Sequence, residues 1–316
     1  MEDKLEKGGS VAVRNAPVIG ARQPRRGVYA RRMWIKRLTI VAFVTPAVVM
    51  LVLTRLWPTA EAIYDSLFRQ SLIGGTSFGG LANYVTVAKD PVFLKGLTVT
   101  AIFGLIVNPF QIVLALVFAV VLSERWRGAW FFRTVILFPA GVPSAVAVVI
   151  FGIALRPDGP VNGFLHDLGL PSQPFLNSPD QALASIILIV SWIGVGYWVI
   201  FLVGGVQDIP TTLYEAAEID GAGWWKKFFS VTLPLLRRPL LFVLVADTIA
   251  NALVFAPVQI LTQGGPDGST NLMMYDIYQR AYQQGALNDA LAETVMWLIP
   301  VILIVAIQFR LLRPNT

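Results

Sequence analysis

The sequence contains no cysteine, which excludes disulfides and thiol chemistry. It has one histidine, His166, too few for a His-based metal site. Charge is scarce as well: Asp, Glu, Lys and Arg make up 14% of the chain, against about 25% in soluble domains. The ~10-residue alternating segments of an outer-membrane barrel are absent. So is any G-x-x-x-x-G-K-[ST] phosphate loop, and no nucleophile–base pair or metal cluster stands out, so the chain does not read as an enzyme. What fills the space is apolar. Hydrophobic residues make up 55% and the mean hydropathy is +0.65. They cluster in runs near 20 residues, about the length of helix that crosses a ~30 Å hydrocarbon core.

Six such runs are read as spans: Leu38–Trp57, Leu97–Leu122, Thr134–Leu155, Leu183–Val206, Leu240–Leu261 and Leu291–Leu312. Residues 1–37 are basic and polar without helical periodicity, and read as a disordered cytoplasmic tail. The first apolar run is too long for a secretory signal and ends without a small-residue cleavage site. With the N-terminus inside, nineteen Lys and Arg fall on the cytoplasmic side and six on the other. That asymmetry places both termini in the cytoplasm. It also explains a net charge of +6 without nucleic acid, since the basic residues lie where anionic headgroups attract them. The outer loops are moderate in length, and His166 in one of them reads as an ordinary solvated residue.

Pro46, Pro109, Pro139, Pro143, Pro257 and Pro300 recur within the runs, as kinks or as hinges around a cavity. Polar side chains at membrane depth are expensive, so they are functional leads. Asp247 and Asn251 share a face at i and i+4 in the fifth run, and Gln259 lies near its outer end. Asn108 and Gln111 sit in the second run, and Glu293 in the sixth. Trp192, Tyr197, Trp198 and Trp297 decorate the fourth and sixth. Hydrogen-bonding side chains beside an aromatic plate suit a sugar, which makes Asp247, Asn251, Gln259, Trp192, Tyr197 and Trp297 candidates for a substrate pathway. The competing reading is interhelical hydrogen bonding and interfacial anchoring.

The segment 208–234 is unlike a passive linker. Pro210 fits a first helical turn, Thr211–Asp220 reads as a short helix, and Gly221 falls where a left-handed residue closes it. A second helix is expected from Trp224 to Val231, with Trp and Phe beside Lys226 and Lys227 in interfacial style and Pro234 ending it. Glu215-Ala216-Ala217, then Asp220-Gly221, then Val231-x-Leu233-Pro234 resemble the EAA loop of binding-protein-dependent ABC importer permeases, with Val231 for the usual Ile. Ile63-Tyr64-Asp65-Ser66-Leu67, Leu81-Ala82-Asn83-Tyr84, Gly159-Pro160-Val161-Asn162 and Leu261-Thr262-Gln263-Gly264-Gly265-Pro266 are similar to the carbohydrate-type, MalF/UgpA-like subgroup. The large periplasmic insertion of the enteric maltose permease is missing.

The resemblance implies an all-α membrane protein with the type I importer permease (MetI-like) fold, in the bacterial inner membrane. Residues 38–316 would form the permease domain. It implies a second permease as partner, two cytoplasmic ATPase subunits that use ATP and Mg, and an extracytoplasmic binding protein that delivers a sugar, polyol or related solute. This chain would itself bind no cofactor. Glu215, Ala216, Ala217, Asp220, Gly221, Leu233 and Pro234 would couple it to the ATPase. The alternative is an ion-coupled carrier using Asp247 and Glu293, which would have no ATPase for such a loop to engage. Topology is testable directly. Reporter fusions after Gln70, Pro171 and Gly268 are expected to report the outside, and fusions after Arg125 and Lys226 the cytoplasm. An outside signal after Lys226 overturns the arrangement.

Overall fold

A computed structural model describes residues 26–71, 75–124 and 128–312. Contacts divide the chain into residues 1–60 and 61–316. Helix α1 runs Arg26–Leu51 in the first unit and passes through a π turn, Val52–Leu56, into α2, Trp57–Asp65, whose last five residues belong to the second unit. Helix therefore begins well inside the expected disordered tail, of which residues 1–25 lie outside the described part. The stretch from Arg26 to Arg37 holds no proline and contains four arginines, good helix formers, so the apolar helix propagates back through it.

The second unit is built on two unbroken helices, α4 (Pro91–Ser123) and α8 (Pro179–Gln207), which share the most extensive helix–helix contact in the fold. The first half of α4 meets the first half of α8 through Val99, Phe103 and Val107 against Ile186, Ile187 and Val190. Their second halves meet through Ala115, Ala119 and Leu122 against Val195, Val199 and Leu202. Lipid supplies no hydrophobic drive between helices, so close approach of small side chains matters. A Cβ on Gly196 of α8 would stand 2.5 Å from the Ile136 carbonyl oxygen. The Arg133 guanidinium donates to the Leu122 carbonyl and so closes the inner end of α4.

The six prolines read as kinks or hinges sort the spans into continuous and broken ones. Pro46, Pro109 and Pro300 lie inside continuous helices, the last in α14, Leu287–Leu312. The run Thr134–Leu155 is instead broken. Helix α5 (Ala129–Leu137) ends in a 3₁₀ turn, and α6 (Ser144–Ala154) leaves at 101°. Pro143 forces Val142 into extended geometry, ψ 128°, which stops the helix there. The run Leu240–Leu261 is broken too. Helix α12 covers only Arg237–Ala252, and a separate π turn, Val258–Thr262, follows Pro257. Among the described residues four helices are long and apolar enough to span, or up to six if two bent pairs, Ala129–Gly141 with Ser144–Ala154 and Trp224–Leu235 with Arg237–Ala252, each count as one.

The outer loops carry short elements, including α3 (Ala82–Ala88), α7 (Pro160–Asp167) and α13 (Met273–Tyr278). They also hold a small antiparallel hairpin, β1 (Phe68–Ser71) on β2 (Gly75–Phe78), a departure from an all-helical reading. The quoted outer-loop motifs act as amide brackets. Asn83 donates to the Ser66 and Phe68 carbonyls, and Tyr84 Oη meets Ser66 Oγ at 2.6 Å. Asn162 donates to the Arg156 and Gln173 carbonyls and accepts from the Gln173 amide. Thr270 Oγ1 bonds Thr262 Oγ1 and the Gly265 carbonyl, folding the Gly-Gly-Pro loop on itself. Close packing at Gly196 predicts that Gly196→Ala lowers stability by about 1–3 kcal/mol through overpacking. Gly204→Ala, with nothing within 4 Å of an added Cβ, is neutral or stabilising by up to about 1 kcal/mol. Thermal unfolding of the purified chain in detergent compares the two.

Candidate functional site

The segment after α8 folds as a helical hairpin. Pro210 caps α9, Thr211–Ile219, in extended geometry at φ −58°. At the other end the Gly221 amide reaches the Glu218 carbonyl at 2.9 Å and the Ala222 amide reaches the Ala217 carbonyl at 2.8 Å. This is a Schellman closure with Gly221 at φ +72°, the left-handed position that its glycine suits. The return arm does not stop at Val231 as expected. It runs from α10 (Trp224–Lys227) through a π turn, Phe228–Thr232, to α11 (Leu233–Leu235), with Pro234 inside it. The wide turn pairs the Leu233 amide with the Phe228 carbonyl five residues back, and this register accommodates the proline without ending the helix. The chain then bends 69° at Leu236 into α12.

Two side-chain contacts brace the arms. Tyr214 Oη and Thr232 Oγ1 are 3.0 Å apart, and Lys227 Nζ donates to Glu218 Oε1 at 2.5 Å. Leu236 is fully buried against α8, where an added Cβ on Gly205 would stand 3.0 Å from it. A cavity of about 830 Å³ lies between the hairpin and the ends of α4, α5 and α8, bordered by Glu124, Arg133, Tyr214 and Phe228. The outward face of α9 is free of the bundle: Glu215, Ala216 and Asp220 are exposed, Ile219 is 87% exposed, and Ala217 is half-buried. Leu233 is half-buried and Pro234 exposed. Tyr214 and Thr232 escaped sequence reading, because neither hydroxyl has a partner within its own helix. The signal that could have found them is their common place in a loop already read as two antiparallel helices.

The membrane-depth residues separate into two groups. Asp247 and Asn251 are buried between α4, α8 and α12. Asn251 Nδ2 lies 2.7 Å from Asn108 Oδ1, 3.1 Å from Asp247 Oδ1 and 3.4 Å from Gln111 Oε1, while Gln111 Nε2 donates to Ser191 Oγ at 3.3 Å. The pair is engaged inside the subunit, a helix–helix contact that leaves the expected pathway role of Asp247 and Asn251 open. The two N–H groups of one amide are shared among three nearby oxygens. Trp297 is likewise engaged, its indole donating to the Ala252 carbonyl at the end of α12, and Gln259 is half-buried with Oε1 enclosed. Trp192 and Tyr197 differ, being 38% and 48% exposed on α8. Trp192 stands edge-on to Phe151 and borders an apolar crevice of about 400 Å³ with Phe110, Pro139 and Ser191.

Glu293, the other acidic lead, is fixed by an ion cluster near the start of α4. Arg280 contacts Glu293 and Asp90 at 2.7 Å each and Asp276 at 3.8 Å. Partial burial works against the charge on Asp90, but the Arg280 guanidinium and the Val92 amide outweigh it and hold the carboxyl below its ordinary range. The cluster ties the start of α4 to α14 and to the turn after α13. Arg280 and Asp276 did not stand out in the sequence, since an Arg in a polar loop gives no sign of burial.

The sequence family described as "binding-protein-dependent transport system inner membrane component" matches residues 111–316. The sn-glycerol-3-phosphate transport system permease protein UgpA of Agrobacterium fabrum is 32% identical over 84% of this chain and 92% of that protein. The sulfoquinovosyl glycerol transport system permease protein SmoG of the same organism is 31% identical over 88% and 91%. Among solved structures, a bacterial ABC transporter importing the acidic polysaccharide alginate superposes with a TM-score of 0.77. It is 21% identical and covers 89% of this chain and 98% of that one. The same kind of transporter in complex with an alginate pentasaccharide-bound periplasmic protein gives 0.78 at 20% identity, over 92% and 98%. The interior network generates its own test. Asn251→Ala strands the Asn108, Gln111 and Asp247 oxygens, and stability in detergent is expected to fall by about 0.6–2 kcal/mol. Unchanged stability with altered substrate preference would instead assign Asn251 to the pathway.

Proposed function

The chain belongs to the binding-protein-dependent transport system inner membrane components, and from that premise we propose that it forms half of a pathway for a hydroxyl-rich solute, driven through the 208–234 hairpin. It is a permease subunit of an ABC importer, a multi-pass protein of the inner membrane. The finer reading is as follows. A second permease completes the pathway, two ATPase subunits dock on the cytoplasmic side, and both termini face the cytoplasm. An external binding protein hands over a sugar, polyol or polyol ester. Relatives named for glycerol 3-phosphate and sulfoquinovosyl glycerol, and a fold shared with an alginate importer, support a solute of that kind.

The observation that carries the coupling role is the braced hairpin with its outward face bare. Glu215 and Ala216 lie on a helix that the bundle leaves open, and Ile219 projects beside them. A short helix of this shape fits a cleft in a partner, with Glu215 making polar contacts and the alanines permitting close approach. Gly221 and Asp220 close the helix, and the Tyr214–Thr232 contact holds it against the return arm. Leu233 and Pro234 lie where that arm turns into α12, so displacement of α9 reaches the spans through one continuous stretch. Trp192 and Tyr197 on α8 supply the exposed aromatic surface for sugar faces. An ion-coupled mechanism is disfavoured by family membership, and Glu293 is already committed to Arg280.

Substitution at Gly221 tests the coupling. Any Cβ in the left-handed conformation costs about 1–2 kcal/mol, less for Asn and more for a β-branched residue. Space is not the constraint, because an added Cβ meets nothing within 4 Å. Gly221→Val is expected to cut ATP-driven uptake in proteoliposomes roughly ten-fold, while Gly221→Asn stays close to the parent. Equal uptake by the Val variant, with the ATPase subunits bound, would refute the role.

A further inference from the structure

The return arm of the hairpin sorts its aromatic rings onto two faces. Trp224 and Phe228 stack 5.8 Å apart with planes within 4°, and both border the cavity against the bundle. Trp225 and Phe229 stack 6.2 Å apart at 19°, and they are 67% and 58% exposed. Cations flank this outer pair. Lys226 is exposed beside it, and Arg237 and Arg238 are exposed at the elbow where α12 begins. Exposed apolar side chains continue across the elbow through Leu235 to Phe242 on α12. The arm meets α12 at 69°. With α12 crossing the bilayer, the arm runs close to the membrane plane at the same end.

We propose that the Trp225–Phe229 face lies in the headgroup region of the cytoplasmic leaflet, with Lys226, Arg237 and Arg238 bound to anionic phospholipid phosphates. This rests on the reading that the hairpin faces the cytoplasm. Indole and phenyl rings beside cations are the composition of an interfacial helix, in which rings enter the acyl boundary and Lys and Arg reach the phosphates. The bare face of α9 is different in kind: a carboxylate, an alanine and an isoleucine, with no exposed aromatic ring. One arm therefore suits a protein cleft and the other a lipid surface. Anchored in this way, the elbow stays at constant depth while α9 moves, so movement of α9 reaches α12 as rotation.

The absence of native cysteine makes the test clean. Single variants Trp225→Cys, Phe229→Cys and Ile219→Cys carry a nitroxide label in the assembled permease pair, in nanodiscs of mixed phosphatidylglycerol and phosphatidylcholine. Collision with oxygen is compared with collision with a water-soluble nickel chelate, before and after the ATPase subunits are added. Labels at 225 and 229 are expected to favour oxygen several-fold over the label at 219 and to remain unchanged on ATPase binding, while the label at 219 becomes shielded. Free access of the chelate to 225 and 229, or their shielding by the ATPase, overturns the proposal. A label at 219 that stays unshielded while 225 and 229 remain in lipid counts against ATPase docking and still supports the lipid face. Replacing Lys226, Arg237 and Arg238 with Gln together should reduce the oxygen preference at 229 at least about two-fold in phosphatidylglycerol but not in pure phosphatidylcholine. An equal effect in both lipids, or none, overturns the anionic component.

Discussion

A peptide group released by a broken helix in hydrocarbon finds no water, so each break has to be satisfied from within the protein. That constraint organises this fold. Two helices, α4 and α8, run without interruption and make the frame. Two of the interruptions in the second unit meet their needs from neighbouring helices. The bend after α5 sits where Gly196 of α8 lets the Ile136 carbonyl approach. The end of α12 at Ala252 passes its carbonyl to the Trp297 indole, and Asn251 one residue earlier reaches α4. The amide network is therefore part of the scaffolding that makes a shortened span tolerable.

Legibility in the sequence follows from the length scale of each signal. Apolar runs near 20 residues locate the membrane helices, but their ends move: the first runs on to Asp65 rather than Trp57, and α12 stops at Ala252 rather than Leu261. The spacing from Glu215 through Gly221 to Pro234 marks the hairpin and its left-handed turn. What stays hidden is how neighbours respond to a proline. Pro109 and Pro139 look alike in an apolar run, yet one sits inside a continuous helix and the other opens a right-angled break. The second proline at 143 makes the difference, because it removes the helical conformation from Val142. Asp247 and Asn251 were found by their cost in lipid, but the same cost is met by Asn108 and Gln111, which lie about 140 residues away in sequence. The small hairpin at Phe68–Phe78 is too short for alternation to register. Helix at Arg26–Arg37 extends past the apolar run by propagation.

The two ends of the second unit are built differently. At the end opposite the hairpin, the Arg280 cluster joins α4, α14 and the turn after α13 through charged hydrogen bonds, with Asn83 and Asn162 bracketing the neighbouring loops. At the other end, the hairpin is braced internally, and its link to the frame is a bend, a buried Leu236 and a cavity. Charged and amide contacts thus concentrate at one end, and the hairpin at the other end is joined to the frame by fewer of them.

The geometry of α12 sets a gearing ratio. Asn251 pins one extremity of this rod to α4, while Leu236 marks the other, about 22 Å away at 1.5 Å per residue. If the amide contact is the fulcrum, a swing of roughly 10° carries the elbow by about 4 Å, about three-quarters of the rise of one helical turn. The atoms around Asn251 barely translate over the same arc. A sizeable displacement at the hairpin end of the rod therefore corresponds to a small tilt at its Asn251 end.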